Sequence, residues 1–268
     1  MLLKPVSRRG PLSLSDDAAG PPAELASGDK LEAKFEKVAK RLGELQQVLY
    51  ADGRHALLIV LQGRDAAGKD SVTATVFDAC NAQGVRVNSF KAPTSIELAH
   101  DYLWRIHNVV PEKRMIGIFN RSHYEDVLVV RVHSLVPKDV WSKRYDQINA
   151  FEKMLSENGV TILKFFLHIS RDEQAKQLEQ RIEDPTKNWK FNAGDLDERK
   201  LWDKYNAAYR DALQKCSTPW APWYLVPADK KKARNYLVAK RIVAALESLE
   251  LEYPKPKTDL REYLKVLG

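Results

Sequence analysis

Cysteine is scarce in this chain, with only Cys80 and Cys216 among its 268 residues. Two cysteines cannot supply the disulfide framework that stabilises small secreted domains. Long apolar runs are also missing, since no stretch approaches the roughly 18 residues of a membrane-spanning helix. The apolar residues within 1–6 are too few for a signal peptide. These absences predict a cytoplasmic protein that does not enter a membrane.

Several kinds of catalytic and binding motif are absent as well. The six histidines do not share a zinc-like spacing with cysteine or aspartate. The sequence has no nucleophile elbow and no serine–histidine–aspartate order, which argues against covalent catalysis. It also has no DNA-recognition helix and no RNA-binding signature, so we expect no specific nucleic-acid binding.

Positive charge, in contrast, is in excess. The chain carries 43 lysines and arginines against 36 aspartates and glutamates, a formal net charge of +7. An excess of this kind indicates a polyanionic partner. A nucleic acid and a phosphate-rich substrate both satisfy it, so the charge alone leaves the partner open.

The order of the predicted elements indicates one α/β domain with a segment on either side. Residues 1–28 are rich in proline, glycine and serine, which predicts a flexible N-terminal arm. Over residues 29–253, short apolar strands alternate with helical patterns. This alternation predicts a three-layer α/β/α domain around a parallel sheet. The prolines and polar residues of 254–268 predict an irregular C-terminal tail.

The rest of the chain is organised around residues 56–72. The uninterrupted apolar run of 56–61 predicts a strand that is buried on both faces. Gly63-Arg-Asp-Ala-Ala-Gly-Lys69 follows at once and matches the G-x-x-x-x-G-K pattern of a phosphate-binding loop. Glycines let successive N–H groups turn towards a phosphate, and the next helix presents its positive end. The predicted phosphate contacts are Gly63, Ala66, Ala67, Gly68, Lys69 and Asp70.

The loop departs from the common pattern at the residue after the lysine. Serine or threonine, whose hydroxyl contacts magnesium, usually stands there. This chain has Asp70 instead, with Ser71 one position later. The loop also contains Asp65, an acid that bound phosphates would repel unless a cation lay between them. Asp65 is therefore the predicted magnesium ligand, and the alternative is an acceptor in a local Asx turn.

A polar cluster follows the third predicted strand, 115–119. It begins with Asn120 and Arg121, at the carboxyl end of a strand, where open α/β sheets place ligand groups. The planar guanidinium of Arg121 suits phosphate oxygens. An ion pair with Glu125 or Asp126 is the alternative for this arginine.

A basic segment follows the fourth predicted strand, and Arg181, Lys187 and Lys190 belong to it. Nucleotide kinases with a phosphate-binding loop place a lid at this point, which closes cations over the transferring phosphoryl group. The alternative is a solvated loop whose charges have no function.

Five segments in order resemble the polyphosphate kinase 2 family. They are residues 61–70 around the loop, Pro93-Thr94, His100-Asp-Tyr-Leu-Trp-Arg-Ile-His107, Ile118-Phe-Asn-Arg-Ser-His-Tyr-Glu-Asp126, and Asp184-Pro-Thr-Lys-Asn-Trp-Lys190. Together they are far more specific than the loop alone. The motif of 118–126 is most similar to that of the class III members, which accept both AMP and ADP. Family members often have aspartate where this chain has Asn120, so metal ligation is not carried over to that position.

The resemblance implies a P-loop kinase fold for residues 29–253, with a helical lid at about 181–199. It implies a polyphosphate:nucleotide phosphotransferase that moves the terminal phosphoryl group of inorganic polyphosphate reversibly to AMP or ADP. Adenine nucleotides are the expected partners, with guanine nucleotides as an option. Magnesium is the expected cofactor, with manganese as a substitute, and a homodimer or homotetramer is the expected assembly.

We assign roles to residues on this basis. Catalysis is expected from Lys69, Asp65, Arg121 and Arg181, metal binding from Asp65 and Glu125, polyphosphate binding from Lys187 and Lys190, and nucleotide binding from Pro93, Thr94, Asn120 and Arg121. Two other functions stay open from the sequence. One is an ATP-dependent nucleoside monophosphate kinase related to thymidylate kinases, and the other is a P-loop protein that binds nucleic acid.

Overall fold

A computed structural model of the protein describes residues 2–25 and 29–267. Its centre is a sheet of five parallel strands in the order β2-β3-β1-β4-β5. The strands are β1 Ala56–Gly63, β2 Val85–Ser89, β3 Ile116–Asn120, β4 Val160–His168 and β5 Trp223–Pro227. Helices cover both faces of the sheet, which confirms the predicted three-layer α/β/α architecture.

Helices of very different lengths connect the strands. In chain order they are α1 Asp29–Asp52, α2 Lys69–Val76, α3 Ser95–Leu98, α4 Trp104–His107, α5 Val129–Val132, α6 Lys138–Trp141, α7 Arg144–Glu157, α8 Arg171–Glu183, α9 Gly194–Lys200, α10 Trp202–Cys216, α11 Lys231–Glu247 and α12 Arg261–Leu267. Across residues 2–25 and 29–267, none of the helices is long and apolar enough to pass through a bilayer.

β1 occupies the middle of the sheet, and all eight of its residues are buried. β3 pairs with one of its edges and β4 with the other. Leu57, Ile59 and Leu61 pack beneath α1, α2 and α11, whereas the residues between them pack beneath α7 and α10. The apolar run is uninterrupted because a strand covered on both faces has no solvent-facing side.

Several helices are shorter than their sequence patterns predict. The helix expected over 69–82 ends at Val76, and the helix expected over 94–108 is divided into α3 and α4. In the second case the Asp101 carboxylate accepts the Leu103 N–H at 2.9 Å. This local bond turns the chain, because a side chain that binds nearby backbone competes with the helical pattern. The helices expected over 138–158 and 196–213 are likewise each divided in two.

The sequence pattern predicts that Asp229 caps the last long helix, but it does not. α11 begins after Lys230, which makes no side-chain capping bond. Asp229 instead accepts the Ser170 N–H at 2.8 Å. The Ser170 hydroxyl accepts the Glu173 N–H at 3.2 Å and so caps α8. Asp229 thus takes the backbone donor that a capping box would assign to Glu173.

The N-terminal arm was predicted to be flexible, but residues 2–25 lie against the core. Leu3, Leu14 and Leu25 are buried, and the Val6 N–H donates to the Trp223 carbonyl at 2.8 Å. The arm thus covers the free edge of β5, where an unpaired strand would expose its backbone groups. Residues 1 and 26–28 of the predicted arm lie outside the described residues.

The C-terminal tail was predicted to be irregular, but it contains α12. Leu260, Leu264 and Leu267 are all exposed. Their spacing of four and then three residues is a helical signal in the sequence. The sequence predicted an irregular tail because prolines precede this helix.

A buried network fixes the turn that follows β3. Lys164 on β4 and Glu152 on α7 are buried and form an ion pair of 2.5 Å. Lys164 also donates to the Tyr124 hydroxyl at 2.6 Å, and Glu152 lies 3.2 Å from Nε2 of His123. Burial lowers the pKa of His123 and so favours its neutral ring. Burial disfavours the charge of Glu152, but the adjacent Lys164 outweighs it and lowers the pKa of that carboxyl. The network therefore anchors the 118–126 motif to β4 and α7.

We expect Glu152→Gln to lower the free energy of unfolding by about 3–5 kcal/mol, because it leaves the buried Lys164 ammonium without its counter-charge. The matched control is Glu157→Gln on the same helix. Glu157 forms an exposed pair with Lys153 at 3.6 Å, and its loss should cost less than about 1 kcal/mol. Urea unfolding of both variants measures the difference. Equal losses would contradict a stabilising role for the buried pair.

Candidate functional site

The phosphate-loop segment passes from β1 to α2 through two residues with positive φ angles. Ala66 has φ 65° and Gly68 has φ 93°. Backbone of this kind turns successive N–H groups to one side and forms a concave site for anions. α2 begins at Lys69, so the unsatisfied N–H groups of its first turn face the same space.

Lys69 is enclosed by the loop. Its Nζ donates to the carbonyl oxygens of Gly63 at 2.7 Å and of Arg64 at 3.2 Å. These bonds use two of the three ammonium N–H groups, and the third can donate to a phosphate oxygen. Burial, together with the charge of nearby Arg121, lowers the pKa of Lys69 to about 8.

Arg121 joins the two predicted metal ligands. Its Nη2 lies 2.6 Å from Oδ1 of Asp65, and its Nη1 lies 3.7 Å from Oε2 of Glu125. Burial acts against the charge of Arg121, but Glu125 and Asp65 outweigh it and raise the pKa above its usual value. Arg121 also has a positive φ of 63°, a conformation that costs energy in a non-glycine residue and is common at functional sites. The predicted cation and both predicted metal ligands therefore lie together.

Asp70 and Asn120 hold the loop against the end of β3. Nδ2 of Asn120 donates to Oδ1 of Asp70 at 2.5 Å. Asn120 was predicted to contact the nucleotide, and the structure places it against the first turn of α2. Ser71, one position out of register for the usual magnesium ligand, accepts a hydrogen bond from Nη2 of Arg234 at 3.0 Å.

A cationic depression, called the basic groove here, opens on one side of the loop. Its cations are Arg181, Lys187, Lys190, Lys231 and Arg234, and Ala66 and Gly68 form its floor. The structure thus brings the three predicted lid cations to the loop. The sequence reasoning missed the two from α11. The run Lys230-Lys231-Lys232 at the start of the last long helix is a sequence signal for Lys231, whereas Arg234 has none.

The polar sequence of residues 184–195 predicts a mobile connection, and in the structure this segment makes ion pairs. Asp184 accepts from Lys187 at 2.7 Å, and Arg181 lies 3.0 Å from Asp195. Burial, together with the charge of Asp65, raises the pKa of Asp195. The pair of Arg181 with Asp195 connects α8 to α9, a contact that the sequence did not indicate. Lid bounds of about 181–199 stay a prediction.

A second depression, called the apolar pocket here, is bordered by Arg121 and Glu125. Its apolar wall includes Phe90, Pro93, Leu98, Val129, Val130 and Leu135. Arg105, Arg121 and Arg144 supply positive charge at its rim. Pro93 lines this pocket, and its contact with a nucleotide stays a prediction. Thr94 caps α3, since its hydroxyl accepts the Glu97 N–H at 3.3 Å and its own N–H binds the Glu97 carboxylate.

The metal-binding prediction can be tested against the donors that are present. Among the described residues, no group of three or more histidine, cysteine, aspartate or glutamate side chains could hold an ion alone. Magnesium bound by phosphates needs only one or two carboxylates, because phosphate and water oxygens complete its coordination. Asp65 and Glu125, which contact the same guanidinium, therefore fit a magnesium ion shared with a phosphate ligand.

Comparison with known proteins gives consistent matches. The model of the family described as Polyphosphate kinase 2 matches residues 25–254. The chain is 56% identical over 219 residues to an AMP/ADP-polyphosphate phosphotransferase of Meiothermus ruber. The alignment covers 82% of each chain. The chain is 47% identical over 237 residues to an ADP-polyphosphate phosphotransferase of Rhodopseudomonas palustris, covering 84% of this chain and 82% of that protein.

A solved structure matches as well. The fold resembles a crystal structure of polyphosphate kinase 2 from Arthrobacter aurescens TC1 with a TM-score of 0.87 at 43% identity. The match covers 90% of this chain and 87% of that one.

The pKa of Lys69 predicts how phosphate binding depends on pH. Because this pKa is about 8 without ligand, the ammonium is charged below pH 8 and becomes neutral above it. A bound phosphate chain favours the charged form. Affinity for tripolyphosphate should therefore be steady below about pH 8 and fall as the pH rises towards about 10.

Calorimetric titrations of the wild type and Lys69→Met at several pH values measure this effect. The ratio of the two affinities removes the titration of the ligand itself. The ratio should shrink above about pH 8. A ratio that stays constant with pH would show that Lys69 does not titrate in this range.

Proposed function

The chain belongs to the polyphosphate kinase 2 family, and on that premise we propose that it phosphorylates both AMP and ADP from inorganic polyphosphate. The reaction moves the terminal phosphoryl group of the polyphosphate chain to the nucleotide, and it is reversible. The similarity to a relative named for both acceptors supports this choice of acceptors, as does the class III-like motif of 118–126.

The observation that carries the proposal is the composition of the basic groove. Five cations line it with two carboxylates, Asp70 and Glu173, and none of its described lining residues is aromatic. A linear polyanion without a base matches such a surface, because every repeating unit brings negative charge and no apolar face. An ATP donor would present an adenine ring to a surface that offers little for it to pack against.

The apolar pocket suits the acceptor nucleotide. Apolar side chains such as Phe90 and Pro93 can cover a base, and Arg105 and Arg144 offer charge to its phosphates. Arg105 donates to the Lys91 carbonyl at 2.9 Å, and Arg144 pairs with Asp126 at 2.9 Å. Both guanidinium groups are therefore already oriented, which lowers the entropy lost on binding.

Catalysis follows from the position of the two depressions. The loop residues Ala66 and Gly68 line the groove, and the pocket is lined by Arg121, which pairs with the loop acid Asp65. A phosphate oxygen of AMP or ADP is already an anion, so no strong general base is needed. Positioning of the two substrates and neutralisation of their charge lower the barrier. Lys69 and Arg121 would stabilise the transferring group, and Arg181 would assist from the lid.

Asp65 and Glu125 would hold magnesium, or manganese in its place. When bound, the ion neutralises charge on the phosphate oxygens and orients them. Arg121, paired with both carboxylates, would keep them in place beside the loop.

Three further points rest on the resemblance and the composition. We infer a cytoplasmic location, which agrees with two free cysteines. We infer a homodimer or homotetramer, and we infer that guanine nucleotides compete with adenine nucleotides for the pocket.

One incubation tests the proposed function. Wild-type protein with polyphosphate, magnesium and AMP should form ADP and then ATP, measured by chromatography. Lys69→Ala should reduce the rate by roughly 100-fold, because an aligned charge is lost where negative charge develops. Formation of ADP from AMP with ATP but not with polyphosphate would favour the ATP-dependent kinase and contradict the proposal.

Asp65→Asn should raise the magnesium concentration for half-maximal rate by roughly 10-fold or more, because it removes a charged ligand and keeps the shape. The control is Asp78→Asn, an exposed residue beyond the end of α2, which should leave that concentration unchanged. If Asp65 serves only to hold Arg121, the variant will lose rate equally at every magnesium concentration. That outcome would remove Asp65 from the metal site.

A further inference from the structure

Arg234 on α11 is a buried cation without an acidic partner. It is 2% exposed, and among the side chains that the structure describes no carboxylate lies within ion-pair distance of it. Its bonds go to uncharged acceptors: the Ala67 carbonyl at 3.0 Å, the Ser71 hydroxyl at 3.0 Å and the Asn235 amide at 3.1 Å. Burial lowers the pKa of Arg234 to about 10, which leaves it charged at neutral pH. A buried charge without a counter-charge is unfavourable for folding, so its presence calls for a reason in the site beside it.

The bond to the Ala67 carbonyl determines the direction of an N–H group in the loop. A trans peptide is planar, and its C=O and N–H point in opposite directions. By holding the Ala67 oxygen, Arg234 directs the Gly68 N–H away from itself. Gly68 is needed here for two reasons: its φ is 93°, and a Cβ on it would overlap the Arg234 guanidinium.

Ser71 is the second point of attachment. In the common loop pattern a hydroxyl one residue earlier binds the metal, whereas here Ser71 accepts from Arg234. The shifted hydroxyl thus ties the first turn of α2 to α11. Both ends of the turn between Ala67 and Ser71 are held by one guanidinium, whose planar fork suits two acceptors at once.

We propose that Arg234 is a positioning residue of the phosphate-binding loop, and that the phosphate chain in the basic groove supplies its missing counter-charge. The proposal rests on the function given above, because it takes the loop to be the site of the donor. Arg234 lines the groove beside Gly68 and Ser71, so its charge acts on the bound phosphates at short range. The folded protein therefore holds the Arg234 charge without a counter-charge, and binding of the phosphate chain neutralises that charge.

Arg234→Met removes the charge and both loop bonds but keeps most of the apolar stem. The ligand-free variant should melt at or above the wild-type temperature, because an unpaired buried charge is gone. Tripolyphosphate should no longer raise its melting temperature. The kcat/KM for polyphosphate should fall by roughly 100-fold, as for loss of an oriented donor, while the KM for AMP should stay within about threefold.

Arg241→Met is the matched control. Arg241 lies on the same helix, and its guanidinium packs over the Tyr224 ring at 5.0 Å. The same substitution there should leave both the tripolyphosphate effect and kcat/KM within about twofold of wild type, because Arg241 does not line the basic groove. Arg234→Lys keeps the charge without the fork and should recover roughly 10-fold of the lost kcat/KM.

Three results would overturn the proposal. The first is Arg234→Met with wild-type kcat/KM and a wild-type rise in melting temperature with tripolyphosphate. The second is a variant that melts lower without ligand and loses AMP and polyphosphate equally, which is the behaviour of a purely structural residue. The third applies if Arg234→Met does not fold. In that case, a folded Arg234→Lys that binds tripolyphosphate as tightly as the wild type would overturn the proposal.

The proposed function and this proposal fail in different ways. Tripolyphosphate binding does not require turnover. Wild-type protein that binds tripolyphosphate but phosphorylates neither AMP nor ADP refutes the proposed function, and the binding data still decide the role of Arg234. Wild-type protein that phosphorylates AMP, beside an equally active Arg234→Met, refutes only the role of Arg234.

Discussion

The pairing of β1 on both edges is the constraint on which the site depends. β3 and β4 run parallel to it, so the carboxyl ends of all three strands lie at one edge of the sheet. The phosphate loop, the 118–126 turn and the approach to the lid follow those three ends. Segments far apart in the chain therefore meet without any long-range motif, because parallel strands deliver their following loops to the same place.

The register of β1 with β3 makes this meeting close. Leu61 lies opposite Asn120, so the residues that follow each strand emerge side by side. Asp65 and Arg121 can then pair at 2.6 Å, and Asn120 can reach Asp70. A shift of one residue in the pairing would turn the Asn120 side chain, the last of β3, to the opposite face of the sheet. The geometry of the site therefore depends on the register of the strands.

Three buried cations, Lys164, Lys69 and Arg234, differ in their partners. Lys164 has a carboxylate partner in Glu152, and the pair serves to anchor the turn after β3. Lys69 and Arg234 are also buried, yet among the described side chains neither forms an ion pair. Both contact backbone carbonyls of the phosphate loop instead. A cation whose counter-charge is missing in the free protein attracts an anion more strongly when the anion arrives, because low-dielectric surroundings screen it little.

The sequence by itself determined β1, the phosphate loop, the order of strands and helices, and the grouping of Asp65, Arg121 and Lys69. Each of these follows from a local pattern or from the rule for parallel strand ends. Helix lengths were predicted less well, because bonds such as that from Leu103 to Asp101 end a pattern that periodicity alone would extend. Only the tertiary structure decided that Arg234 lies against the loop, since contact between residues more than 160 positions apart has no local signature. For the same reason it decided that Asp229 binds the start of α8 and that the N-terminal arm packs on β5: an acceptor or a covering surface is chosen by proximity in the folded chain.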